Sequence, residues 1–160
     1  MHKNKIILKD SSKGDSRTNG GNASLNDVLE ATKTHKKEVN EVMDFLAKEL
    51  CDMGSIHDWT KLDNFDEEYG YLVSNNIKDE EFLSSQWWYK HLRLEKHHVK
   101  DYAHIDVNLL DVIEFIVDRV CAEKGRTGEI NMNYLELNPN ILIRAYYNTI
   151  RMLDDKTIRE

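Results

Sequence analysis

The sequence predicts an all-α fold, a compact helical bundle. Turn-forming residues are scarce: one Pro and seven Gly in 160 residues, too few for the many tight turns of an all-β chain. Apolar residues recur at the 3.6-residue period of a helix over several long stretches. The chain is 40% hydrophobic and 32% charged, enough apolar side chains to bury one core in a single domain of this length.

The first helix starts at Ser24, where Ser24-Leu25-Asn26-Asp27 resembles a capping box. Val28, Val39, Val42, Met43, Leu46 and Leu50 then recur at helical spacing, and Gly54 marks the expected end. Steps of 100° per residue from Val28 or Val39 bring His35 close to the same face, which predicts that it points inward. Residues 56–61, IHDWTK, begin a second helical segment after the glycine. Residues 62–81 read as a loop with a short helix, and residues 80–98, EEFLSSQWWYKHLRLEKHH, as one continuous helix. After a loop over 99–107, residues 108–124 form the clearest amphipathic helix. Its core face is expected to be Leu109, Leu110, Ile113, Ile116, Val117 and Val120, and Gly125 and Gly128 stop it. The last helix opens with Asn138 as N-cap and Pro139 at its first position. Its apolar surplus either closes the core or supports a homodimer.

The ends differ in charge. Lys3, Lys5, Lys9, Lys13 and Arg17 against Asp10 and Asp15 give residues 1–23 a charge of +3, leaving −10 of the total −7 on the remainder. The stretch KDSSKGDSRTNGGNAS has no periodic apolar positions and predicts a flexible basic arm over 1–23, followed by one helical domain over 24–160. An acidic body argues against nucleic-acid binding, which needs a cationic face, and suits an enzyme that concentrates divalent cations. No apolar run reaches the roughly 20 residues of a membrane span, and no signal peptide is expected. Two cysteines, Cys51 and Cys121, outside any C-x-x-C pair, fit a reduced cytoplasmic setting and read as small buried apolar residues.

The chemistry-bearing residues cluster in the middle of the body. His57 and Asp58 are adjacent, and neutral imidazole and carboxylate are both ligands for borderline divalent metals. Asp111-x-x-Glu114-x-x-x-Asp118 sets three carboxylates on one helical stripe, costly beside a core unless cations or hydrogen bonds compensate. His91, His97 and His98 add three imidazoles. If His97 and His98 lie on a helix, only one of them faces a site. His104 reads as surface, Asp111 as structural or solvent-facing. Trp87, Trp88 and Tyr89 fit a core or interface better than a platform for stacking on a base.

The order His35, His57-Asp58, Asp118 resembles the H…HD…D signature of the HD-domain superfamily of metal-dependent phosphohydrolases, and Lys61 matches its H-D-x-x-K extension. More narrowly, His57 to Lys61, Trp88 to His91, His97-His98 and Glu114 to Asp118 resemble a family of small phage and bacterial HD-like proteins, across residues 30 to 124. The gap from Asp58 to His91 departs from the best-known HD spacing. The resemblance implies a helical bundle of HD type, in the host cytoplasm if phage-encoded. It implies one or two divalent ions (Mn, Fe, Co, Ni or Mg) held by His35, His57, Asp58 and Asp118, with His91, His97, His98 and Glu114 as further ligands. It also implies a small phosphorylated substrate, a nucleotide by family habit. The ion would activate water toward phosphorus. Asp58, Lys61 and His91 are then the catalytic candidates. Lys61, with Arg93 and Lys96 beside it, would neutralise phosphate charge, and His91, His97 or His98 would bind a second ion or protonate the leaving oxygen. Two other readings stand: a non-catalytic HD-like module that binds a nucleotide or a partner protein, and a structural zinc site, which the absence of cysteine pairs disfavours.

Overall fold

A computed structural model describes residues 5–15, 18–63, 68–130, 132 and 136–160. The fold is all-α: α1 (Leu25–Ile56), α2 (Trp59–Asp63), α3 (Gly70–Ser74), α4 (Asp79–Leu83), α5 (Gln86–Leu94), α6 (Leu109–Thr127) and α7 (Pro139–Lys156). Among the described residues the only sheet is a pair of three-residue strands, β1 (Ile6–Leu8) and β2 (Thr157–Arg159). No helix among them is long and apolar enough to cross a membrane.

The chain forms two compact units. The first comprises residues 1–49 and 150–160. Here residues 6–14 of the expected flexible arm are instead tied down. β1 pairs in parallel with β2, Ile6 opposite Thr157 and Leu8 opposite Arg159. The ladder continues as Glu160 N–H donates to Leu8 C=O and Asp10 N–H to Glu160 C=O, at 2.9 and 2.8 Å. Arg159 meets Asp10 at 2.6 Å. Lys9 N–H donates to Glu38 Oε1 on α1 at 2.6 Å. A short 3-10 turn, Ser12–Gly14, follows. A Cβ on Gly14 would stand 2.4 Å from Ala31 Cβ, so only glycine lets this segment lie against α1. The short polar segment lacks the periodicity of a structured element. Its partners are backbone groups about 150 residues away, which composition does not register.

α1 starts as expected. Ser24 Oγ accepts from Asp27 N–H at 3.2 Å, and the Asp27 carboxylate accepts from Ser24. The helix runs unbroken past Gly54 to Ile56.

The second unit, residues 50–149, carries the core. Val99, Val107, Val112, Phe115 and Ala145 are buried together, with Leu109, Leu137 and Ile141 against them. Side chains of α7 bind the loop before α6 and the first residue of α6. Asn148 donates to Val107 C=O at 2.8 Å, and Thr149 Oγ1 accepts from Leu109 N–H at 2.8 Å while donating to Ala145 C=O. Asn108 and Asp111 form a reciprocal capping box at the start of α6, and Gly128 at φ 81° ends the helix. Asp111 is therefore structural, a buried cap residue.

Two expectations about this unit are corrected. Residues 80–98 are not one helix: α4 stops at Leu83, Ser85 caps α5 by accepting from Trp88 N–H, and α5 ends at Leu94. On α6 only part of the expected core face is buried: Leu110 is, and Leu109 packs against the core. Leu110, Asp111, Val112 and Phe115 are buried, whereas Ile113, Ile116 and Val117 are 41%, 43% and 54% exposed. At 100° per residue, the arc centred on Asp111 and Asp118 faces inward, carrying Glu114 with it. Cys51 and Cys121 are free and exposed rather than buried.

Candidate metal centre

Three segments of the second unit meet at the centre: the α1–α2 junction with His57 and Asp58, α5 with the turn behind it, and the inward acidic stripe of α6. Asp58 is the hinge of the first. Its φ of 56° lies in the left-handed region, which Asp tolerates better than most residues. That single residue ends the preceding helix and lets α2 restart at Trp59. Lys61, one turn on, caps the arrangement by an ion pair from its ammonium to Asp58 Oδ2.

His91 sits on α5 with no exposed surface. Trp87, itself buried, stacks on its ring at 4.7 Å and 15°, and Trp88 lies tilted at 5.5 Å. The tryptophans are thus packing for a histidine. His97 and His98 follow in an irregular turn, with Val99 N–H donating to His97 C=O and Tyr102 N–H to His98 C=O, both at 2.8 Å. Because this turn is not helical, the expectation that only one of the pair faces the site is overturned. Both rings lie within 4.3 Å of each other, centroid to centroid, and His98 Nε2 is 2.6 Å from His91 Nε2.

Three of the histidines, His91, His57 and His98, each have a partner on the far side. Thr60 Oγ1 donates to Glu95 Oε1 at 2.9 Å, so it is left to accept from His91 Nδ1 at 2.6 Å. His91 therefore carries its proton on Nδ1 and turns the Nε2 lone pair toward Asp58 Oδ1, 3.6 Å away. His57 repeats the pattern: Nδ1 donates to Glu114 Oε1 at 3.0 Å, and Nε2 faces Asp58 Oδ2 and Asp118 Oδ1, each at 3.4 Å. Glu114 is thus an orienting carboxylate rather than a member of the converging set. His98 has Asp101 on its outer side, 3.8 Å from Nδ1.

His97 is different. It is 1% exposed, and neither ring nitrogen has a hydrogen-bond partner; Asp58 Oδ1 is likewise buried and unpartnered. His97 Nε2 stands 3.7 Å from that oxygen and Nδ1 stands 3.6 Å from Glu114 Oε1, both too long for a hydrogen bond. Leaving a buried polar atom unpaired costs about 1–3 kcal/mol. A cation held by Asp58 Oδ1 and His97 Nε2 would satisfy two of the three, while His97 Nδ1 faces Glu114 Oε1 from the other side of the ring.

Two overlapping groups have one ligand atom per residue within 4.8 Å of one another: Asp58, His91, His97 and His98, and His57, His97 and Asp118. The cluster could hold a metal ion. Electrostatics agree with that use. Burial, reinforced by the neighbouring imidazoles, holds His91 and His97 near pKa 3, so both are neutral ligands at pH 7. Burial would raise Asp58, but the hydrogen bond and charge of Lys61 outweigh it and keep the carboxylate ionised. Burial opposes charging His57, yet the Glu114 hydrogen bond and the Asp58 and Asp118 charges bring its pKa above the ordinary imidazole value.

The expected set is therefore largely assembled, with two exceptions, Glu114, which orients His57, and His35. His57, Asp58, His91, His97, His98 and Asp118 converge. His35 does not join them. It lies in the first unit, exposed on α1. The face it shares is not a core face, since Val28 and Val39 are 43% and 47% exposed. About six turns of unbroken helix separate it from His57. Of the cationic candidates, Lys61 touches the centre through Asp58, whereas Lys96 pairs with Asp106 and Arg93 is exposed on α5. His104 binds Leu92 C=O at 3.0 Å and is structural. Thr60 and Glu95 were not singled out from the sequence. Their nearest signal is Glu95 two residues before His97, inside the helix expected over residues 80–98.

No curated protein and no solved structure matches the chain. Residues 24–157 match the model of DUF5662, a family of unknown function, and so span the whole centre. The chain belongs to this DUF5662 family.

Proposed function

We propose that this protein is a metal-dependent phosphohydrolase acting on a small phosphate ester, such as a nucleotide, as its resemblance to HD-domain proteins implies. The observation that carries the reading is the buried His97–Asp58 pair with three unpartnered polar atoms, ringed by histidines whose far nitrogens are already held. Asp58, His91, His97 and His98 would hold the first ion, with His57 and Asp118 beside it. An imidazole-rich donor set favours Mn, Fe, Co or Ni over Mg, which prefers oxygen ligands. A bound divalent ion supplies Lewis acidity to a phosphoryl oxygen and to the attacking water.

The remaining roles belong to the chain. Asp58 offers one oxygen to His91 and His97 and the other to His57, so it ties the two ligand groups together. Thr60 with Glu95, and Glu114, fix the tautomers of His91 and His57. Lys61 is the cation at the centre, able to share its charge between Asp58 and a phosphoryl oxygen. The buried side at His91 and His97 excludes water, and the half-buried side at His57 and Asp118 admits substrate.

The test is elemental analysis of purified protein followed by a phosphate-release screen over nucleotides and simple esters. The expected result is bound first-row metal and phosphate release that Asp58→Ala abolishes while helicity is kept. Protein that takes up no divalent ion, with release unchanged by that substitution, would refute the reading.

A further inference from the structure

Part of the face of α6 that the sequence marks as core borders a cavity instead. Ile113, Val117, Cys121 and Ala122 line it with Leu50 and Gly54 at the end of α1, around a volume of about 610 Å³. That is the size of a small-molecule site. Its polar wall is formed by His57, Glu114 and Asp118. The chamber therefore opens directly on the half-buried side of the centre, while His91 and His97 close the opposite side with 0% and 1% exposure. Among the described residues that line it there is no Lys or Arg. Lys61 is already paired with Asp58 Oδ2, the oxygen that also faces His57.

We infer that this chamber receives the uncharged, apolar organic group of the substrate, so that the protein acts on monophosphate esters of alkyl or aryl alcohols rather than on polyphosphates. The inference rests on the proposed metal-centred reading and narrows its substrate. A single phosphoryl group at the centre has the cluster and Lys61 for its charge. Any further phosphate would have to enter a wall of aliphatic side chains between two carboxylates, where nothing compensates its charge. An alkyl or aryl group there instead covers Ile113 and Val117, which otherwise expose 41% and 54% of their surface. The inward acidic stripe and the outward apolar stripe of one helix thus serve the two ends of one ligand.

The experiment is equilibrium binding to full-length protein loaded with Mn²⁺, with Mn²⁺ occupancy followed by electron paramagnetic resonance. The probes are methylphosphonate, octylphosphonate and a nucleoside triphosphate. Octylphosphonate should bind at least about tenfold more tightly than methylphosphonate, because several methylenes are buried. The triphosphate should show no advantage over methylphosphonate. Val117→Trp, which fills the chamber, should remove the octyl preference and leave methylphosphonate binding and Mn²⁺ occupancy intact. Gly54→Leu serves as a second filling variant. A Cβ at Gly54 meets no atom within 4 Å, and Leu favours the helix, so this variant should fold. Equal binding of the two phosphonates, or tighter binding of the triphosphate, with Mn²⁺ still held, overturns the inference and leaves the metal centre standing. Absence of Mn²⁺ binding removes both.

Discussion

Thr60 and His91 are joined by a 2.6 Å hydrogen bond in which the hydroxyl accepts, because its own proton is committed to Glu95. A buried carboxylate thereby decides which nitrogen of a buried histidine is free. Thr60→Val keeps the shape of the side chain and removes the relay. Metal affinity should fall by roughly 10–100-fold, as expected for loss of an outer-shell partner. Thr60→Ser should restore it. Isothermal titration with Mn²⁺ or Co²⁺ measures both, and an unchanged affinity in the valine variant would show that His91 is oriented by its tryptophan packing alone.

His97 should be a liability without metal. Its two ring nitrogens are buried and unpartnered, at a cost of about 1–3 kcal/mol each. His97→Leu removes that cost at similar volume. The metal-free protein should melt at the same or a higher temperature than the parent, while the melting shift on adding metal disappears. For the parent, a metal concentration one hundred times the dissociation constant corresponds to about 2.7 kcal/mol of added stability. A variant that melts well below the metal-free parent would contradict this account of His97.

The two glutamate-or-histidine positions that matter least and most alike in sequence separate cleanly in the structure. His35→Ala removes an exposed residue of the first unit and should leave metal stoichiometry and affinity unchanged. Glu114→Ala removes the acceptor that orients His57 and should weaken binding at the His57–Asp118 side by roughly 10–100-fold. Metal content after dialysis, compared for the two variants, checks both statements at once.

Acid should destabilise the metal-free protein in a defined window. His91 and His97 titrate near 3 in the fold and near 6.5 when unfolded. Between these values the unfolded chain binds more protons than the folded one, so stability falls as pH is lowered from about 6.5 toward 3. His57 acts oppositely, because its folded pKa is raised: its contribution is complete below 6.5 and fades as pH rises through the folded value. Thermal melts in chelator across pH 4–8 (a range of about four units) should therefore peak near neutrality. His97→Leu should flatten the acid limb, and an unaltered limb in that variant would assign acid sensitivity to other groups.

Much of this was legible in the residues themselves. The capping box at Ser24, the Asn108 start of α6 and the Asn138-Pro139 start of α7 are local signals, because a cap is made by side chains within three residues of the backbone it satisfies. The converging positions, His57, Asp58, His91, His97, His98 and Asp118, were all identifiable from residue type, since few side chains besides His and Asp bind borderline metals and here they are crowded into the middle of the chain.

What the tertiary structure alone decided was direction. His97 and His98 both face the centre because the chain leaves its helix at Leu94, well before the expected end at His98. Asp118 and Glu114 face inward, and Ile113 and Val117 outward, because histidines from two other segments occupy the space that α6 packs against. His35 shares a helical face with apolar residues that are not themselves buried. Periodicity names the stripes of a helix. Which stripe is buried depends on what the rest of the chain brings to meet it, and here that is a cluster of imidazoles.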